Sequence, residues 1–146
     1  MISSYRRYEE YDVEIIGETI INPSEDTSKI SKCLLNSVNS SDIEIIHGRY
    51  ARIKCRGILC LHHIKVGVRS RYSTAVLKRL LENNRSGDTT WFLLNKQAAY
   101  CNIISLVEYP EESTLGPITI TIKTKQLDEV ISWIIGRSKI KPNSEF

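Results

Sequence analysis

Asp42-Ile43-Glu44-Ile45-Ile46-His47-Gly48-Arg49-Tyr50-Ala51-Arg52-Ile53-Lys54-Cys55-Arg56 is the stretch whose reading decides the fold. Residues 42–47 alternate with a period of two, and Gly48-Arg49 stands where a hairpin turn is required. In the return strand Ala51, Ile53 and Cys55 take one face, and Arg52, Lys54 and Arg56 the other. A hairpin of this kind buries one face and leaves the other in water, which predicts an antiparallel sheet with helices behind it. Bases two residues apart stand ~7 Å from one another, comparable with the step between phosphates along a nucleic-acid strand.

Toward the N-terminus, Val13 and Ile15 begin a strand that runs to Ile21, with Ile16 and Ile20 on its opposite face. Asn22-Pro23-Ser24-Glu25-Asp26 switches the period, and Ser24 is expected to cap a helix whose acidic first turn is Glu25 and Asp26. Ile30, Cys33, Leu34 and Val38 are its buried stripe, and Asn39-Ser40-Ser41 ends it. Toward the C-terminus, residues 58–68 satisfy two templates. Ile58, Leu61, Ile64 and Val68 fit a helix; Ile58, Cys60, Ile64, Val66 and Val68 fit a strand, and Gly67 between valines favours strand locally. Residues 70–84 read as a helix, with Ala75, Val76, Leu80 and the Leu77–Leu81 pair at helical spacing.

Residues 83–88 are a loop and Thr89 to Leu94 a strand. Asn95-Lys96 reads as a tight turn leading to a partner strand from Ala98 to Val107. Pro110 to Pro117 connects to Ile118-Thr119-Ile120-Thr121-Ile122-Lys123, whose strict alternation buries one face. Thr124 to Ile135 is the last helix, with Leu127, Val130, Ile131 and Ile134 inward, Asp128 and Glu129 near its start and Gly136 as its stop. The predicted fold is a single α+β domain over residues 11–136, of order β-α-ββ-(αα)-βββ-α, with helices on one face of a mostly antiparallel sheet. Residues 1–10 are expected to form an arm and 137–146 a polar tail.

Four phrases occur together and in order: Ile21-Asn22-Pro23-Ser24-Glu25-Asp26, Leu94-Asn95-Lys96-Gln97-Ala98-Ala99-Tyr100, Leu115-Gly116-Pro117-Ile118 and Ile131-Ser132-Trp133-Ile134. Across roughly residues 12–136 the chain resembles an archaeal family of uncharacterised proteins predicted to be RNA-binding exosome subunits. That family's fold resembles the large-subunit ribosomal protein that binds 5S ribosomal RNA. The resemblance implies a helix across residues 58–68, and the expectation follows it there. It also implies a non-enzymatic role in RNA processing or at the ribosome. The chain departs from the family's pattern at Arg71-Tyr72-Ser73-Thr74-Ala75-Val76-Leu77, where the family has an Arg-Ile-Leu-Asp-Ala-Ala-Arg-like phrase, so a role tied to that acid does not carry over. Trp133-Ile134-Ile135-Gly136 likewise replaces a Trp-Leu-Ala-Pro ending.

The 146 residues are 41% apolar and 25% charged, an ordinary globular balance for one domain. No apolar run is long enough to span a membrane, and Met1 to Tyr11 is too polar for a secretory signal. Cys33, Cys55, Cys60 and Cys101 sit in apolar periodic segments, so reduced thiols and a cytoplasmic location are expected, with internal pairing left open. The net charge of +3 conceals a strong asymmetry. Residues 1–46 carry nine acids and four bases, residues 47–81 nine bases and no acid, and residues 82–146 seven bases and eight acids.

That acid-free block supplies the candidate nucleic-acid contacts: Arg49, Arg52, Lys54, Arg56, Lys65, Arg69, Arg71, Lys78 and Arg79. Clustered cations release counterions from a polyphosphate, arginine grips phosphate with two parallel hydrogen bonds, and Tyr50 and Tyr72 offer rings for unpaired bases. Lys96, placed at an expected hairpin tip, joins the set, and Tyr5-Arg6-Arg7-Tyr8 in the arm offers further backbone contacts. The opposing reading is a solvated face neutralised by Glu14, Glu18 and Glu44. RNA is the expected partner, the alternatives being an acidic protein in a larger assembly and a homodimer. Cys55, Cys60, His62 and His63 are spaced like no common zinc site, Glu111-Glu112 reads as solvated loop charge, and no cofactor or catalytic motif occurs.

Overall fold

The computed structural model describes residues 11–136 together with positions 6–7 and 140–141. Arg6–Arg7 (β1) and Ile140–Lys141 (β8) pair as a two-residue parallel ladder. The rest of the arm, including Tyr5 and Tyr8, and the rest of the polar tail lie outside the described residues. The domain proper comprises β2 (Glu14–Ile20), α1 (Thr27–Ser37), β3 (Asp42–Ile46), β4 (Tyr50–Arg56), α2 (His62–Ser70), α3 (Thr74–Asn83), β5 (Thr89–Leu94), α4 (Lys96–Tyr100), β6 (Leu106–Val107), β7 (Ile118–Lys123) and α5 (Leu127–Ile134). Six strands form one antiparallel sheet in the order β3-β4-β2-β7-β5-β6.

Alternation assigns the two faces as the sequence requires. Val13, Ile15, Ala51, Ile53, Phe92, Ile118, Ile120 and Ile122 are buried. They pack with Ile30, Leu34, Ile64, Val68, Leu77, Leu81, Leu127 and Val130 from the helices. Helix α1 crosses β2 and β4, and α3 crosses β5. No helix among the described residues is long and apolar enough to cross a membrane.

Four local expectations are corrected. The β3–β4 turn centres on His47 and Gly48, at φ 52° and 66°, one residue before the expected pair. Two successive left-handed residues match the twist of the flanking strands. Helix α1 is capped by Asp26, not Ser24, because the Asp26 carboxylate accepts the Ser28 N–H at 2.9 Å. Asn95 does not make a hairpin turn; its side chain accepts the Ala98 N–H at 2.8 Å and starts α4, so the partner strand of β5 shrinks to β6. The thiols of Cys55 and Cys60 are joined as a disulfide between the end of β4 and the turn that opens α2, with Cα atoms 6.1 Å apart.

The ambiguous stretch is helical: a 3-10 turn at Ile58–Leu61 runs into α2. Gly67, which argued for a strand, is there for a steric reason. A Cβ built on it would lie 2.6 Å from Cβ of Ile104, so α2 needs a missing side chain to settle against the 101–104 segment. Three helices are followed by a left-handed residue, and α2 and α4 close there through paired backbone hydrogen bonds. Gly136 (φ 84°) follows α5, Asn102 (φ 60°) follows α4, and Tyr72 (φ 54°) follows α2. At the last, Ser73 N–H bonds the Val68 carbonyl at 3.0 Å and Tyr72 N–H bonds that of Arg69 at 3.1 Å, the Schellman pattern. Glycine and asparagine suit that position; tyrosine does not.

Replacing Gly67 by alanine gains about 1 kcal/mol of helix propensity. Overpacking against Ile104 costs about 1–3 kcal/mol. The G67A variant should therefore be less stable than the parent in urea denaturation, against the usual direction for a helical glycine.

Candidate nucleic-acid interface

The acid-free block 47–81 does not form one positive face. Strand register divides it. On the open side of the sheet Arg52 lies between Glu44 on β3 and Glu18 on β2, Lys54 lies opposite Asp42, and Arg56 opposite Glu14. The basic column of β4 is thus enclosed by acidic columns on both sides. Arg52 bonds Glu18 at 2.8 Å, and Arg56 bonds Asp12 at 2.6 Å with Glu14 at 3.5 Å. Arg79, on α3, pairs with Glu108.

Lys65 and Arg69, one turn apart on α2, turn toward the C-terminal end of α5. Lys65 Nζ donates to the Trp133 carbonyl at 2.6 Å and sits 4.3 Å from the Trp133 ring centroid. A Cβ on Gly136 would run into the Arg69 guanidinium. Both cations complement the negative end of the α5 dipole. Burial, with the nearby Arg69 charge, pushes the Lys65 ammonium below its usual range.

What remains is a corner where α2 passes into α3. Arg69, Arg71 and Lys78 have no carboxylate at ion-pair distance among the described residues. Tyr72 projects between the two helices, 96% exposed. Arg49 and Tyr50 lie apart from this corner, at the β3–β4 turn and on the open sheet face, where Tyr50 registers opposite Ile46 and Ile20.

Lys96 is the largest departure from expectation. Expected as a nucleic-acid contact at a hairpin tip, it is 2% exposed, so its ammonium is out of reach of a phosphate. Its ammonium donates to the Ile20 carbonyl at 2.9 Å, the Leu115 carbonyl at 2.8 Å and Glu25 Oε1 at 3.1 Å. Glu25 also accepts the backbone N–H of Asn22 at 2.9 Å and its Nδ2 at 2.6 Å. Burial alone would raise the Glu25 carboxyl, but the Asn22 N–H, the Lys96 ammonium and the Asn22 side chain together hold it below its ordinary value of 4.5. Glu25 was expected as a helix first-turn acid; it is the inward partner of the buried lysine. Among the described residues no three His, Cys, Asp or Glu side chains converge as metal ligands.

Three segments meet at Lys96: 21–26, 94–100 and 115–118. A family model described as RNA binding matches residues 14–124. A protein from Pyrobaculum neutrophilum named only for the UPF0201 family is 32% identical over 130 residues, covering 86% of this chain and 90% of the relative. This chain belongs to the UPF0201 family. A Thermococcus kodakarensis member is 31% identical over 129 residues, covering 86% of this chain and 91% of its own. A solved, uncharacterised UPF0201 structure superposes with a TM-score of 0.73 at 22% identity over 86% of this chain and 95% of its own. The UPF0201 protein from Methanococcus jannaschii gives 0.70 at 23% over 86% and 94%. The UPF0201 fold is therefore shared, and with it the single α+β domain.

Replacing Lys96 by methionine leaves the part-buried Glu25 carboxylate with Asn22 as its remaining partner and takes the donor from the Ile20 and Leu115 carbonyls, which should cost about 3 kcal/mol in urea denaturation at neutral pH. The folded Glu25 carboxyl titrates below the unfolded one, so its stabilisation is complete above pH 4.5 and disappears as the pH falls through the lowered value. The parent should lose stability on that acid limb, and E25Q should lose this part of the acid dependence.

Proposed function

We propose that this UPF0201 protein is a non-enzymatic RNA-binding module that grips RNA at the α2–α3 corner through Arg69, Arg71 and Lys78, with Tyr72 as a platform for an unpaired base. It acts as a component of RNA-processing or ribosome-linked machinery. The observation that carries the reading is Tyr72. It occupies a left-handed position that costs a non-glycine residue about 1–2 kcal/mol, and its ring buries nothing. Neither the backbone nor the core is served by a tyrosine there. An exposed ring between unpaired cations fits a single strand, whose bases stack on aromatic side chains while its phosphates meet the cations. The family's RNA-binding description points the same way.

The open sheet face suits RNA less well. Arg52 and Arg56 are already bonded to carboxylates and Lys54 stands opposite Asp42, so docking a phosphate there means breaking an ion pair or bringing a second anion beside the first.

Fluorescence titration of a labelled single-stranded RNA tests the assignment. Three phosphate contacts on a single strand give a salt slope of about −2, a loss of about tenfold to thirtyfold in affinity between roughly 50 and 200 mM salt. Reversing Arg71 and Lys78 to glutamate should abolish binding at the higher salt, while reversing Arg52 and Arg56 should leave it within about twofold. Equal loss from both pairs would refute the corner as the interface.

Tyr72→Gly separates function from stability. Relief of the left-handed strain, set against the greater entropy of unfolded glycine, should stabilise the fold by about 0.5–1 kcal/mol. RNA affinity should fall by about fivefold or more as the stacking platform is lost. A variant that is both more stable and equally tight in binding would remove the argument from Tyr72.

A further inference from the structure

We infer that the cleft between α1 and α4, floored by the Glu25–Lys96 pair, holds a single nucleobase through its amino or imino N–H donors. The occupant rests on the RNA-binding reading above, and the cleft on its own geometry. It is a depression of about 420 Å³, within the range of small-ligand sites and large enough for one base with part of its sugar. Ile30, Leu115 and the ring of Tyr100 give it apolar and aromatic walls.

Its polar floor is unusual in being charged and nearly sealed: the side chains of Lys96 and Glu25 are 2% and 9% exposed. The lysine has no donor to spare, since its three N–H bonds go to two backbone carbonyls and the carboxylate. The carboxylate does have acceptor capacity to spare. Among the described residues Oε1 receives Asn22 N–H, Asn22 Nδ2 and Lys96, whereas Oε2 receives only Lys96, at 3.3 Å. Oε1 is fully loaded, whereas the single long contact at 3.3 Å leaves Oε2 with acceptor capacity for a donor in the cleft. Every RNA base carries such a donor on its pairing edge: an amino group in guanine, cytosine and adenine, and an imino N–H in guanine and uracil.

The surroundings suit the rest of a nucleotide. Lys29 stands at the rim near the Asp26 carboxylate, with no carboxylate at ion-pair distance among the described residues, and Lys32 lies one helical turn on, 4.7 Å from the Tyr100 ring centroid. These cations are where the phosphate of a bound nucleotide would lie. Apolar walls, an aromatic ring, a fixed carboxylate acceptor and outer cations together match the parts of a nucleotide.

The cleft carries its own reporter. Cys101 is exposed on its rim, whereas Cys33 is buried, its thiol pushed up by burial, and Cys55 and Cys60 are joined. The rate of Cys101 alkylation by iodoacetamide, read by peptide mapping of the full chain, should fall about fivefold when GMP, CMP or AMP is present at about four times its Kd. Ribose 5-phosphate should not protect. In Tyr100→Ala, scaled to that variant's own unliganded rate, protection should need about tenfold more nucleotide. Equal protection by ribose 5-phosphate, or none by any nucleotide up to about 10 mM, a concentration that still detects a binding free energy of only a few kcal/mol, overturns the inference. An RNA that binds in titration yet leaves Cys101 unprotected overturns it as well, with the α2–α3 interface intact. Protection by mononucleotides in a protein that fails to bind RNA upholds the cleft and removes the RNA interface.

Discussion

A lysine ammonium taken out of water must find every donor a partner, and the place where Lys96 does so organises this fold. Its three bonds reach the end of β2, the loop before α1 and the loop before β7. Asn22 locks the arrangement by donating to both Glu25 and the Leu115 carbonyl, at 2.6 and 2.9 Å. Segments far apart in the chain are thereby clamped at one end of the sheet. An isolated buried ion pair contributes little net stability, because desolvation offsets attraction. The value of this one lies in geometry: it fixes where α1 and α4 begin relative to the sheet, and so shapes the cleft between them.

The second constraint is antiparallel register. A strand bearing Arg52, Lys54 and Arg56 has the potential to attract a polyanion only if its neighbours leave it free. Here β3 and β2 place carboxylates beside it, and the open face becomes a checkerboard of opposite charge. The positive field that the 47–81 stretch promises is thereby moved to the helices. There, two cations settle on the end of α5, and Arg71 and Lys78 remain for a partner, with Arg69 still exposed. Tyr72 sits among them in a conformation that costs stability, the kind of local exception expected at a contact surface.

Much of the architecture was legible in the chain. The alternation of β4 and β7 gave the buried face residue by residue, because a period of two leaves no other solution. The stripe of α1 and that of α5 were legible for the same reason at helical spacing. Residues 58–68 were not, since their apolar positions satisfy both periods; Gly67 pointed to a strand because the side chain that excludes a Cβ there, Ile104, is 37 positions away in the chain. Asn95 was misread because asparagine serves a turn and a helix cap equally well, and only the Ala98 N–H decides between them. Of the candidate contacts, the sequence identified the right residue types in the 47–81 block, but their partners, Asp12, Glu14, Glu18 and Glu108, lie at sequence distances that no local pattern encodes.

What the sequence determined by itself was the set of elements, the face each one buries and the uneven distribution of charge. These follow from local periodicity and backbone preference, which act over a few residues. What only the tertiary structure decided was which charges meet. It paired Lys96 with Glu25, closed the β4 row against its neighbouring acids and left the α2–α3 corner open. Coulomb attraction and desolvation act through space, so their outcome depends on strand order and register.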